Sequence, residues 1–285
     1  MSFSLGLLLL SLIELVSCLD QVVKTKNGLV RGTTVQFENI QIQAFFGVPF
    51  AEPPVGELRF RKPRPVKEWS GVRDATKMSP ACIQFSFYPF PWYDFKDDKS
   101  EDCLYLNIWL LAKTRASDRK AVMFWIYGGG FTVGSITKPE YDGRLLTFAG
   151  DVIVVTVNYR MASLGFLYSG SDEAPGNVGM YDQLMAMQWV NENIKYFGGD
   201  PKRVTLFGQS AGSIAISLWC ISPLTKGLFH RVIMESGSAA FFRSDHKNSS
   251  LSLSQKLAKA VDCATDEKTI DKFPEEVVGC LRSMI

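Results

Sequence analysis

Histidine is nearly absent from this chain: two in 285 residues, His230 and His246. A hydrolytic centre built on several histidine ligands is therefore not expected, and neither a metal nor an organic cofactor is implied. Charge of one sign is also lacking. Lys and Arg number 31 against 29 Asp and Glu, and no basic run stands out, so there is no electrostatic footprint for nucleic acid. Internal repeats and low-complexity tracts are absent. One long apolar run exists, FSLGLLLLSLIELV at residues 3–16, and it is too short to span a bilayer comfortably. Its N-terminal position reads as a secretory signal, with Ser17 and Cys18 offering cleavage before Leu19. Glu14 within the run and the lack of a preceding Lys or Arg run against that pattern. The tetrad Leu15-Val16-Ser17-Cys18 also resembles a lipoprotein signal, which leaves a lipid anchor on Cys18 as the minor reading. The expected organisation is a signal peptide at 1–18 and one domain from 19 to 285, secreted and without a membrane span.

What is present is an ordinary globular composition, 46% hydrophobic and 12% aromatic, on a chain long enough for a sizeable core. Secretion would permit disulfides. Five cysteines follow the signal, an odd number, so one thiol is left over. Cys220 sits in the apolar segment ISLWCIS and is expected to be a buried free thiol. Pairing Cys82 with Cys103 and Cys263 with Cys280 would close two short loops. Asn248-Ser249-Ser250 is an N-glycosylation sequon in a polar stretch.

Strand and helix signals alternate along the chain. Residues 21–46 alternate apolar and polar around Asn27-Gly28, a hairpin or meander signature. Residues 47–102, rich in Pro, Gly and aromatics, read as irregular loops. AVMFWIY (121–127), DVIVVTVNY (151–159) and VTLFG (204–208) suit buried strands of a mostly parallel sheet. Met180, Leu184, Met187, Val190 and Ile194 keep a helical period, stopped by Gly198-Gly199-Asp200-Pro201. HRVIMES (230–236) gives one more strand, and the stretch from 251 begins as a helix. The pattern is that of an α/β fold with an N-terminal antiparallel hairpin leading into a mostly parallel central sheet.

The most informative stretch is VTLFGQSAGS (204–213). Gly208-x-Ser210-x-Gly212 lies between a strand and a helix, the nucleophile-elbow pattern, in which a strained turn lifts Ser210 Oγ above the sheet. After the strand AVMFWIY comes Gly128-Gly129-Gly130-Phe131. A triple glycine there lets the amides of Gly129 and Gly130, with that of Ala211, converge on an oxyanion.

These motifs, in this order, resemble the type-B carboxylesterases, which include the cholinesterases. AFFGVPFAEPPVGELRFRKP (44–63), SEDCLYLNIW (100–109), NYRMASLGFL (158–167), GNVGMYDQLMAMQWVNENIKYFGGDPKRVTLFGQSAG (176–212) and GLFHRVIMESGSA (227–239) are similar to family blocks. The resemblance implies the α/β-hydrolase fold and hydrolysis of a small-molecule carboxylic ester through an acyl-enzyme on Ser210. It implies disulfides Cys82–Cys103 and Cys263–Cys280, and structural ion pairs Arg59–Glu101 and Arg160–Asp182.

The chain departs from the family in three places. Family domains are about twice as long, with the acidic and histidine triad members in the further half, so 19–285 reads as the N-terminal part of such a domain. Neither His230 nor His246 is expected to be the base, and the chain alone is expected to be inactive. Gln209 stands where most members carry Glu. Trp92 falls one position from the cholinesterase Trp that holds a choline ammonium, with Tyr93 beside it. Trp92, Tyr93, Tyr127, Tyr141 and Gln209 are therefore expected to line the substrate pocket. The alternative is an inactive binding or adhesion protein on the same fold, against which stands the intact elbow.

Overall fold

The computed structural model describes residues 21–85, 98–241 and 246–284. The expected signal segment 1–18, with Cys18, and the expected pocket residues Trp92 and Tyr93 lie outside the described residues. The chain begins with β1 (Val22–Lys24) and β2 (Leu29–Arg31), an antiparallel hairpin around Asn27-Gly28. Trp69 leaves no room for a side chain at Gly28, where a Cβ would sit 2.4 Å from the indole nitrogen. This hairpin does not lead into the central sheet. It forms its own small sheet with β5 (Val72–Asp74). The antiparallel lead-in is instead the next pair, β3 (Thr33–Phe37) and β4 (Ile40–Pro49). A two-stranded pair, β6 (Ala81–Cys82) and β7 (Lys99–Ser100), interrupts the loop-rich stretch between β5 and β8 (Tyr105–Leu111).

The apolar runs then fold as their composition requires. β9 (Lys120–Ile126), α1 (Arg144–Gly150), β10 (Ile153–Val157), α2 (Ala162–Phe166), α3 (Val178–Asn193), β11 (Gly199–Gln209), α4 (Ala211–Ile221), β12 (Arg231–Glu235), α5 (His246–Ala260) and α6 (Pro274–Ser283) follow in order. All five residues of β10 are buried, as an interior parallel strand demands. The central sheet has the order β12-β11-β9-β10-β8-β4-β3. Its β12, β11, β9 and β10 run parallel, while β8, β4 and β3 alternate in direction.

Leu184, Met187, Val190 and Ile194 are buried along α3 and the turn after it. Gly198, at φ +85°, closes that turn, because a Cβ would lie 2.5 Å from Arg115 O. Both expected disulfides are formed, Cys82–Cys103 and Cys263–Cys280. The second ties α6 to the end of α5 in a separate small core with Phe60, Leu167 and Ile270. Among the described residues Cys220 is the free thiol, but it is exposed rather than buried. It stands at the penultimate position of α4, whose neighbouring Ile216 and Trp219 take the buried face. His246 opens α5, and Asn248 lies in the first turn of that helix.

Candidate active site

The strand order places the chemistry. From β9 the chain moves to β10 on one side. It then crosses back through α3 to β11 on the other side of β9. Loops leaving the C-terminal ends of β9 and β11 therefore meet where the order reverses, the usual crevice of an open α/β sheet. The loop after β9 begins at Tyr127 and carries the three glycines. The turn after β11 is Ser210.

Ser210 has φ +53° and ψ −119°, a region L-residues rarely occupy, and it caps α4. Strain of this kind costs on the order of 1–3 kcal/mol and persists only where the surroundings over-determine it. Here they do. Ser210 N donates to Glu235 O at 2.8 Å, and Ile214 N donates to Ser210 O at 2.9 Å. Gly237 packs against the elbow so closely that a Cβ would lie 2.6 Å from Ser210 O. Ser213 Oγ donates to Gly237 O at 2.6 Å and locks that contact. The two glycines flanking the serine are equally constrained. A Cβ at Gly208 would meet Ile126 O at 2.6 Å, and one at Gly212 would meet the same oxygen at 2.0 Å.

The triple glycine is brought directly against the elbow. A Cβ on Gly128 would stand 2.6 Å from Gln209 O and 3.0 Å from Ser210 Cβ. Gly129 (φ +117°) and Gly130 (φ +62°) are in left-handed conformations. Among the described residues neither amide has a protein acceptor. Ala211, the first residue of α4, has no acceptor for its N–H within its own helix. The loop carrying two of these donors touches the elbow at Gly128, and the third donor opens the helix that the serine caps, an arrangement suited to a developing oxyanion.

The expected pocket residues divide. Gln209 is half-buried with its Oε1 against Gly128. Tyr127 is fully buried. Its hydroxyl donates to Tyr159 O and accepts from Tyr159 N, both at 3.3 Å. Burial pushes its phenol well above the ordinary range. Its ring stacks on Tyr159 at 4.6 Å and faces Tyr141 at 6.3 Å. Tyr127 supports the loop from beneath because the residue just after a buried strand continues into the core. Tyr141 is half-buried against Trp125 at 5.2 Å, with Lys138 Nζ over its ring.

Beside the loop an open groove of about 310 Å³ runs from Gly130 and Phe131 between α2 and α5, walled by Phe166, Leu253 and Leu257. A larger surface hollow, about 870 Å³ beside the β3–β4 turn and α1, is bordered by the C-terminal end of β8. Since β8 runs antiparallel to β10, that hollow is at the other end of the sheet from Ser210.

His230 is also at the wrong end. Its N–H donates to Val204 O, and the register runs from Thr205↔Arg231 to Gln209↔Glu235. At about 3.3 Å per residue it lies roughly 20 Å along the strand from Ser210. The two ion pairs are scaffold, as expected. Arg160 and Asp182 are 4% and 0% exposed and joined bidentately at 2.8 and 2.7 Å. Arg59 meets Glu101 through its Nε at 2.7 Å and through Nη2. Sequence reasoning missed Gly237, Ser213 and Gln84, which brace the elbow and the glycine loop. The SGS run after HRVIME carried some signal for Gly237, and nothing marked Gln84.

A model described as the carboxylesterase family matches residues 19–284. The chain belongs to that family. It is 46% identical to acetylcholinesterase-1 of Trittame loki over 93% of this chain and 48% of that protein. It is 40% identical to cholinesterase of Mus musculus over 93% of this chain and 44% of that protein. It is 42% identical to acetylcholinesterase of Danio rerio over 93% of this chain and 42% of that protein. This carboxylesterase-family chain thus spans somewhat under half the length of the curated relatives it matches.

Proposed function

We propose that the natural gene product is a secreted serine esterase that hydrolyses small carboxylic esters through an acyl-enzyme on Ser210. The observation that carries this reading is the strained serine held against Gly128, next to two glycines whose amides have no protein acceptor among the described residues. Ser210 Oγ attacks the ester carbonyl, and the C–O bond to the alcohol breaks after a tetrahedral intermediate. The amides of Gly129, Gly130 and Ala211 take the negative charge on the former carbonyl oxygen. Each such donor is worth about 3–4 kcal/mol in the transition state. The proton of Ser210 needs a base, and His230, at the opposite end of its strand, does not stand beside it. The relatives' names support a choline ester as substrate. Gln209, neutral beside the nucleophile, gives less electrostatic support to a cationic alcohol than the usual Glu. Secretion is supported by the N-terminal apolar run and the two disulfides.

The test is to label the full natural product with a fluorophosphonate and map the adduct. Labelling at Ser210, abolished by Ser210→Ala, is the expected result. A folded product carrying no adduct at Ser210, yet captured by a cell-surface protein, is the outcome that selects the inactive binding protein.

A further inference from the structure

Gln84 lies two residues beyond Cys82, in a stretch with no catalytic motif, yet it is only 8% exposed. Its side chain makes an unusual pair of bonds. Gly134 N donates to Gln84 Oε1 at 2.7 Å, and Gln84 Nε2 donates to Gly134 O at 2.8 Å. The same Nε2 donates to Cys82 O at 3.1 Å. The planar amide therefore grips both backbone polar groups of one residue, as a neighbouring strand would, and anchors them to the half-cystine Cys82, bonded to Cys103.

Gly134 closes the glycine loop. A Cβ there would meet the Tyr127 ring at 2.4 Å and Gly128 O at 2.9 Å, so this residue is wedged between the two ends of the loop's first turn. Inside the loop, Gly129 O accepts from Thr132 N at 3.0 Å and from Val133 N at 3.1 Å. Val133 O in turn presses on Gly129, 2.0 Å from where a Cβ would be. Fixing Gly134 fixes Val133, and Val133 sets the peptide planes on either side of Gly129.

We infer that Gln84 is a positioning residue for the oxyanion hole: through Gly134 and Val133 it aims the amides of Gly129 and Gly130. The inference rests on the acyl-enzyme reading of Ser210. Gln84 touches none of the reacting atoms. A misplacement near 1 Å in such a donor costs on the order of 100-fold in rate, so loss of the clamp is expected to lower turnover far more than substrate affinity.

The experiment compares wild type, Gln84→Met and Gln84→Glu in the full natural product. Methionine keeps the volume and removes all three bonds. Glutamate keeps an acceptor for Gly134 N and loses the donor to Gly134 O. Three readouts are taken: kcat and KM, the rate of phosphonylation of Ser210, and amide hydrogen exchange. Expected for Gln84→Met is a kcat and a phosphonylation rate about 10- to 100-fold lower, with KM within about threefold. Exchange at Gly129 and Gly130 is faster while β9 and β11 are unchanged. Gln84→Glu falls between, or replaces Gln84→Met as the deciding variant if the latter does not fold. A folded variant with kcat, phosphonylation and Gly129–Gly130 exchange all within twofold of wild type overturns the inference. If wild type itself is never phosphonylated, the esterase reading fails instead, and the exchange readout still decides whether Gln84 orders the loop.

Discussion

At Gly212 the single hydrogen in place of a side chain is what lets α4 pack against β9, because any Cβ would lie 2.0 Å from Ile126 O. That oxygen is backbone within a central strand and cannot move alone. Gly212→Ala is therefore expected to destabilise the protein by about 1–3 kcal/mol, read as a lower urea midpoint with an unchanged slope. Loss of Ser210 labelling is expected at concentrations of urea that leave the bulk of the sheet intact. The motif Gly-x-Ser-x-Gly announced both glycines, and the structure supplies the reason each is required. It also shows why Tyr127 is core: one residue past a buried strand is still inside it.

Among elements, α3 and the segment before it are joined by Arg160–Asp182, a pair that is almost wholly buried. Breaking a buried pair strands one charge away from water. Asp182→Ala is expected to cost about 3–5 kcal/mol, against a much smaller loss in the double variant Arg160→Met, Asp182→Ala, measured by chemical denaturation. The helix α6 is held differently. Arg282 Nη2 donates to Glu173 O at 2.8 Å, while Arg61 and Arg282 both reach the Glu173 carboxylate. Arg59 Nη1 donates to Arg282 O at 2.8 Å and to Met284 O at 2.6 Å, closing the end of the helix. The hydrogen bond from Arg282, aided by the charges of Arg282 and Arg61, lowers the Glu173 pKa. A depressed folded-state value means that the stabilisation is complete at neutral pH and is lost as pH falls through that value. Amide exchange in α6 is expected to accelerate below the ordinary carboxylate range, about pH 4, and Glu173→Gln is expected to flatten that dependence.

For the whole molecule, the asymmetry of the central sheet matters. On one side it finishes in the β3–β4 hairpin. On the other, β12 has a strand neighbour only in β11 among the described residues, and its Ile233 and Met234 are 45% and 46% exposed. An apolar strand with open backbone groups is a template for pairing with another chain. The 285-residue chain is expected to self-associate with rising concentration in sedimentation velocity, and Ile233→Lys is expected to shift it toward monomer. An unchanged distribution in that variant would place the contact elsewhere.

Much of this was legible beforehand, for identifiable reasons. β10 and β9 are short apolar runs that only a buried strand accommodates. The period of Leu184, Met187, Val190 and Ile194 admits only a helix, and Gly208-x-Ser210-x-Gly212 names its own turn. The cysteine pairs were legible from the short loops they close, and the family resemblance implied the same pairing. The sequence by itself determined the chemistry on offer: a serine between a strand and a helix, and a loop of flexible glycines. Tertiary structure alone decided that β11 crosses to the far side of β9, which sets the serine against Gly128. It also decided that His230 lies a strand's length away, that Cys220 faces outward, and that Gln84 reaches Gly134. Each of these depends on strand order, direction or helix face. Those are relations between distant segments, fixed by how apolar faces are buried together, and no local pattern encodes them.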